Sequence, residues 1–89
     1  MENPAPAFIL VADGTVDQIV SGWNAPAHAQ QERRDLRNMG CDVRLIETHV
    51  DHADTLAGLI DMHLRDTGAL GRKALARMAE TLGCTARMS

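Results

Sequence analysis

The chain has 89 residues, of which 45% are hydrophobic, and its formal net charge is −3 at neutral pH. A chain this short has room for one hydrophobic core, so its length excludes a protein of several domains. Its 12 acidic side chains outnumber the 9 basic ones, which argues against a protein that grips nucleic acid by overall charge. Only Phe8 and Trp23 are aromatic, so the core is built mainly from aliphatic side chains.

The first residues, MENPAPAF, combine an acid with two prolines and lack the basic stretch that opens a signal peptide. No apolar run in the sequence has the length that a bilayer crossing requires. We therefore expect a cytoplasmic protein without membrane contact. Residues 1–6 are predicted to be a loose lead, and residues 7–89 to form a single domain.

Two strands joined by a tight turn are predicted next. The apolar run Phe8–Ala12 is bounded by turn residues, which is typical of a buried strand. Asp13 and Gly14 then signal a two-residue hairpin, because a type I′ turn needs positive φ at both positions. Apolar residues also recur at helical spacing within residues 15–23, and a helix there would give the chain a βαβ start. We favour the hairpin because that segment is short and β-branched.

A polar helix is predicted after Asn24, which is a good capping residue. Pro26 is tolerated in the first turn because the N–H that it lacks would have no partner there. Gly40 is expected to end the helix, and the alternating sequence CDVRLIE after it predicts a third strand. The narrow apolar stripe of this helix consists of Ala25, Ala29, Leu36 and Met39.

Two further helices complete the predicted order of elements. Asp51 and Asp54 favour a helix start, since carboxylates stabilise the free N–H groups of a first turn. Gly68 separates this helix from a last one over residues 71–82. The predicted buried faces are Leu56, Leu59, Ile60, His63 and Leu64 in the first, and Leu75, Met78, Ala79 and Leu82 in the second. The sequence thus predicts an α+β fold of order ββαβαα, with a short antiparallel sheet packed against the helices.

The segment QQERRDLR carries three arginines on a helix. Arg33 and Arg37 are four residues apart and share a face, so their guanidinium groups can fork onto the carboxylates of a partner. The alternative is a solvated face in which Glu32 and Asp35 pair with the arginines. Because Arg is enriched at interfaces, we assign Arg33, Arg34 and Arg37 to binding another protein.

Trp23 is the only tryptophan in the chain. In a chain this poor in aromatic residues we expect its ring to be part of the core. The alternative is an interface anchor, a role in which tryptophan is over-represented. On that alternative, Trp23 joins the three arginines as a candidate partner-binding residue.

A DNA-associated regulator is the alternative function. Residues 72–87 hold four basic side chains against Glu80, and Arg72, Lys73 and Arg77 lie on the last predicted helix. Such a helix can contact phosphates. Since no aromatic side chains for base stacking accompany it, binding of nucleic acid is not expected.

His49, His52 and His63 give a weak alternative, a module that binds a metal or a small ligand. Imidazole and carboxylate groups suit zinc or nickel. Their spacing is not that of a known metal motif, and the neighbouring aspartates are explained as helix-starting residues. We therefore expect neither a metal nor another cofactor.

No Ser or Cys stands beside a recognisable base, and no glycine-rich loop follows a strand, so the sequence predicts no enzyme. We expect a non-catalytic regulator, adaptor or inhibitor that binds another protein, with a homodimer as an open alternative. The Ala- and Arg-rich composition is compatible with a GC-rich bacterium, phage or plasmid. In size and acidic character the chain is similar to phage inhibitors of host defence, anti-CRISPR proteins among them, and no residue motif carries that likeness.

Overall fold

A computed structural model describes residues 5–89. These residues form one antiparallel sheet and three helices, with the strand order β2-β1-β3-β4. The elements are β1 (Pro6–Ala12), β2 (Thr15–Val20), α1 (Ala25–Asn38), β3 (Val43–His49), α2 (Val50–Thr67), α3 (Arg72–Leu82) and β4 (Arg87–Met88).

The predicted hairpin is confirmed, and the alternative helix over residues 15–23 is wrong. Asp13 has φ of 51° and Gly14 has φ of 77°, as a type I′ turn between two antiparallel strands requires. The register shifts once, because Leu10 lies opposite Gln18 and the next residue of β1 lies opposite Val16. Asp17 is therefore an extra residue in β2, which makes a β-bulge.

The sheet separates two hydrophobic clusters, one on each face. Side chains alternate between the faces along β1, so Phe8 and Leu10 belong to one cluster while Ile9 and Val11 belong to the other. Helix α1 covers the first face, and α2 and α3 cover the second. The α1 cluster contains Phe8, Leu10, Val20, Ala25, Ala29, Val43 and Leu45. The α2/α3 cluster contains Ile9, Val11, Ile46, Leu56, Ala57, Ile60, Leu64 and Leu75.

Helix α1 buries only small side chains fully. Ala25 and Ala29 are buried and Leu36 is half-buried, but Met39 is 76% exposed, so its predicted place on the apolar stripe is wrong. Met39 lies just past the last helical residue, at the C-cap of α1. Asn24 occupies the N-cap position as predicted, although its side chain makes no capping hydrogen bond.

Both α1 and α3 end in the same Gly-Cys arrangement. Gly40 has φ of 88°, a conformation in which any Cβ is strained, and its N–H donates to the carbonyl oxygen of Arg37 at 2.9 Å. The N–H of Cys41 then donates to the carbonyl oxygen of Leu36 at 3.0 Å, completing a Schellman motif. Gly83 and Cys84 repeat these two bonds after α3. The two cysteines are thus helix-ending residues on different helices, and both thiols are free.

Helix α2 begins one residue before the predicted start, at Val50, with His49 at the N-cap and Asp51 in the first turn. Its buried positions include Leu56, Ile60 and Leu64 as predicted. Leu59 and His63, predicted on the buried face, are only half-buried because they lie at its margin. In α3 the fully buried residues are Leu75 and Ala79.

The predicted α+β fold of order ββαβαα is confirmed, and the structure adds β4, which pairs with Ile46 and Glu47 of β3. Strand β1 begins at Pro6, inside the stretch predicted as a loose lead, and Pro6 lies opposite His49. The rest of that lead, residues 1–4, lies outside the described residues. Within residues 5–89, none of the helices combines the length and the apolar composition that a membrane crossing requires.

Candidate partner-binding surface

Trp23 lies in the short connection between β2 and α1, and 96% of it is exposed. The expectation that its ring belongs to the core is therefore wrong. Strand β2 ends at Val20 and the first buried residue of α1 is Ala25, so Trp23 lies in the exposed stretch between the two buried elements. The alternative, an exposed anchor for a partner, is the one compatible with this position.

The three arginines of α1 surround a shallow depression of about 210 Å³, which Gln30 also lines. Arg34 and Arg37 are exposed, while Arg33 is half-buried. The structure therefore brings Arg33, Arg34 and Arg37 together, as the helical spacing predicts. Gln30, one turn before them, adds an amide that can donate and accept hydrogen bonds.

The carboxylates of α1 are engaged elsewhere. Glu32 lies 3.4 Å from His28 Nε2 and accepts a hydrogen bond of 3.0 Å from Gln18 Nε2 on β2. Asp35 accepts a 2.9 Å hydrogen bond from Gln31 Nε2. Pairing of these acids with the arginines, the alternative drawn from the sequence, is not what the structure shows. Within residues 5–89, no carboxylate lies within 4 Å of the guanidinium nitrogens of the three arginines.

Arg33 carries a further unusual feature. Its Nε is buried and has no hydrogen-bond partner among residues 5–89. A buried donor without an acceptor costs about 1–3 kcal/mol, and more when the group is charged. Because Nε is not exposed, it is not the atom that a ligand in the depression would meet. The depression favours an anionic group for a simpler reason, since three guanidinium groups surround it and no carboxylate among residues 5–89 lies within 4 Å of them.

Trp23 and the arginines are separated by the length of one helix. Helix α1 has 14 residues, which corresponds to about 21 Å along its axis. A protein interface of ordinary size buries about 800 Å² on each partner, a patch about 30 Å across. One partner can therefore cover Trp23 and the arginine depression together.

The basic residues of the alternative function lie on a different part of the molecule. Arg72, Lys73 and Arg77 are all exposed on α3, across the sheet from α1. Arg72 and Arg87 line a depression of about 320 Å³ between the start of α3 and β4. Arg87 was not singled out from the sequence, because β4 has only two residues and no periodicity that predicts it.

The structure does not bring His49, His52 and His63 together. His52 and His63 lie on the same helix, and their separation of eleven residues places them about 16 Å apart along its axis. His49 instead points its Nε2 at Thr85 Oγ1, at 3.4 Å. Among residues 5–89, no group of three His, Cys, Asp or Glu side chains has a geometry that could hold a metal ion.

Cys41 has a perturbed thiol. Its burial and then the nearby carboxylates of Asp13 and Asp17 raise the pKa of the Cys41 thiol above its ordinary value of 9.0. A thiol whose pKa is raised holds its proton at neutral pH and is a poor nucleophile.

These observations define a candidate surface on α1 and the turn before it, consisting of Trp23, Gln30, Arg33, Arg34 and Arg37. We compared the chain with known protein families, with curated proteins and with solved structures, and none of the three comparisons finds a match.

Proposed function

We propose that the protein is a non-catalytic regulator, adaptor or inhibitor that binds another protein through the α1 surface. The observation that carries the proposal is the exposure of Trp23, just before α1, together with the arginines of α1, which are unpaired within residues 5–89. Trp23 is almost fully exposed, and the three arginines of α1 have no carboxylate within 4 Å among residues 5–89. Trp and Arg are the residue types that dominate the binding energy of protein interfaces.

The binding free energy that a partner gains by covering Trp23 is large for a chain of this size. Covering a tryptophan ring removes about 150–250 Å² from water, which is worth about 4–6 kcal/mol at 25 cal/mol per Å². Part of that gain is offset by ordering and by lost translational freedom. Trp23 therefore supplies affinity, while the arginines select a partner with carboxylates and raise the association rate.

The location and the class of the protein are proposed from the sequence. The protein acts in the cytoplasm without a cofactor, and a phage or mobile-element inhibitor of a host defence complex is the class that fits its size and acidity. Whether it acts as a monomer or a homodimer follows from native mass spectrometry of the purified chain. A mass equal to that of two chains at micromolar concentration supports the dimer.

Site-specific photocrosslinking tests the proposal directly. A benzoylphenylalanine placed at Trp23 is expected to crosslink a host protein in the cells or lysate where the protein acts. The matched control carries the same group at Met62, which is 62% exposed on α2, on the opposite face of the sheet. The expected result is a discrete product from position 23 that position 62 does not give.

The arginines are tested by charge reversal in the same assay. Arg33→Glu with Arg37→Glu is expected to remove the product, and Arg65→Glu on α2 is expected to keep it. Thermal unfolding of each variant shows whether the fold survives. The proposal fails if positions 23 and 62 give the same products, or if the double reversal leaves the product intact in a folded chain.

A further inference from the structure

The arginine depression on α1 is one end of a longer groove. Three depressions follow one another around the β4 edge of the sheet and share lining residues. Gln30 lines both the α1 depression and a central one of about 320 Å³. Arg87 and Met88 line both the central depression and the one beside Arg72. The three depressions thus adjoin one another from α1 round β4 to the first residue of α3, and we call this series of depressions the groove.

Positive charge dominates this groove. We call its five arginines the basic band, and Glu47 is the only acidic side chain that lines any of the three depressions. Glu47 lies opposite Arg87 in the β3–β4 register, so one of the five positive charges is locally compensated. The basic band consists of Arg33, Arg34, Arg37, Arg72 and Arg87.

Four of the 12 acidic side chains lie on α2, away from the groove. That helix carries four aspartates against one arginine, and Arg65 is bound to Asp61 at 3.1 Å. The net charge of −3 thus conceals a positive groove and a negative helix on one small domain. An occupant of the groove has to be anionic where it touches the molecule.

The central depression differs in having an apolar lining. Phe8, Leu45 and Met88 line it together with the polar groups of Gln30 and the Glu47–Arg87 pair. Phe8 and Leu45 are almost fully buried, so they form its floor. An apolar side chain of moderate size fits such a place, flanked on both sides by arginines.

We propose that the basic band binds an extended acidic segment of a protein chain, with carboxylates on the arginines at both ends and an apolar side chain in the central depression. This inference rests on the proposed function and names the chemistry of the partner. A nucleic-acid strand fits less well, since the groove offers no exposed aromatic side chain on which bases could stack.

Fluorescence anisotropy with defined probes tests the proposal on the full chain. The probe is a labelled peptide of about ten residues, about 33 Å when extended, in which glutamates flank a central leucine. Two comparison probes have the central leucine replaced by glycine, or are a thymidine oligonucleotide of the same charge. We expect the leucine peptide to bind at low salt, more tightly than either comparison probe.

Variants distant from α1 separate this inference from the proposed function. Arg72→Gln with Arg87→Gln is expected to weaken binding of the leucine peptide about tenfold, and Arg65→Gln to change it by less than about twofold. Equal affinity of the Arg72/Arg87 variant and the unchanged protein overturns the basic band. Tighter binding of the oligonucleotide overturns the peptide as occupant, as does no peptide binding below about 1 mM.

The photocrosslinking at Trp23 distinguishes the two failures. If the Arg72/Arg87 variant still gives the position-23 product at full yield, the partner is held by α1 alone, so the groove inference falls and the proposed function stands. If position 23 gives no specific product while the leucine peptide binds through Arg72 and Arg87, the anchor role of Trp23 falls and the groove stands.

Discussion

The two faces of the sheet are stabilised in different ways. On the α2/α3 face, large aliphatic side chains meet across the interface, and Ile9, Ile46 and Ile60 are fully buried. On the α1 face, Phe8 and the leucines of the sheet meet the buried small side chains of Ala25 and Ala29 and the half-buried Leu36. Since free energy from burial scales with apolar area, α2 and α3 supply most of the stability of the domain. Helix α1 packs against the sheet through a narrow stripe of mainly small side chains, and most of its long side chains lie at the surface.

A cavity on the α2/α3 face is expected to cause the largest loss of stability. Ile60→Ala is expected to lower the free energy of unfolding by about 3 kcal/mol, because it removes buried methyl and methylene groups and leaves a void. Urea denaturation followed by circular dichroism measures the change. Ile60→Val serves as the control and is expected to cost about 1 kcal/mol. A loss below 1 kcal/mol for the alanine variant would mean that this face is not the main source of stability.

The packing of α1 against the sheet is tested by replacing a small buried side chain with a larger one. Ala29→Leu is expected to cost about 2 kcal/mol, because α1 lies on the sheet without room for three more carbon atoms. Ala27→Leu, on the exposed side of the same helix, is expected to change stability by less than about 0.5 kcal/mol. The same denaturation experiment compares them. Equal stability of the two variants would show that α1 is not closely packed.

Replacing Trp23, the exposed candidate anchor, is expected to weaken partner binding while leaving stability almost unchanged. Trp23→Ala is expected to change the free energy of unfolding by less than about 0.5 kcal/mol, because the ring contributes almost no buried area. Capture of the crosslinking partner by a probe at another α1 position, such as Gln30, is expected to fall at least tenfold. A destabilisation above 1 kcal/mol would instead show that the ring packs against the domain.

The smallest expected effect concerns the thiol of Cys41, which follows the C-terminal end of α1. In a Cys84→Ser background, the pH profile of iodoacetamide alkylation is expected to place the pKa of Cys41 above 9.0. Since the folded chain holds this proton more tightly than the unfolded chain, stability is retained below pH 9 and lost as the pH rises through the raised pKa. Asp13→Asn is expected to lower the pKa of Cys41, while its side chain still accepts the hydrogen bond from Asp42 N–H. An unchanged profile would show that Asp13 does not contribute and would leave burial and Asp17 as the causes.

Local chemistry made much of the fold predictable. Asp13 and Gly14 specify a turn with two positive φ values, and Gly40 specifies a helix end, so those features follow from the residues themselves. Strand β4 could not be predicted, because two residues have no periodicity and their pairing with Ile46 and Glu47 depends on the whole sheet.

The candidate surface was predictable only in part. Helical spacing was enough to group Arg33 with Arg37. It could not show that Glu32 accepts a hydrogen bond from Gln18, a residue of β2 that folding brings next to α1. The exposure of Trp23 was missed for a similar reason, since composition suggested a core role, whereas folding places the buried residues of this region at Val20 and Ala25 on either side of it.

The bulge at Asp17 has a consequence for the behaviour of this chain at high concentration. An open sheet edge can recruit a strand from a second molecule and seed insoluble aggregates. Here one outer strand, β2, is interrupted by an extra residue with a carboxylate, and the other, β4, has only two residues. Neither outer strand offers a long, regular template for such growth. Strand addition at β2 and β4 is therefore expected to be disfavoured although Trp23 is exposed, whereas β3 extends beyond β4 at both ends.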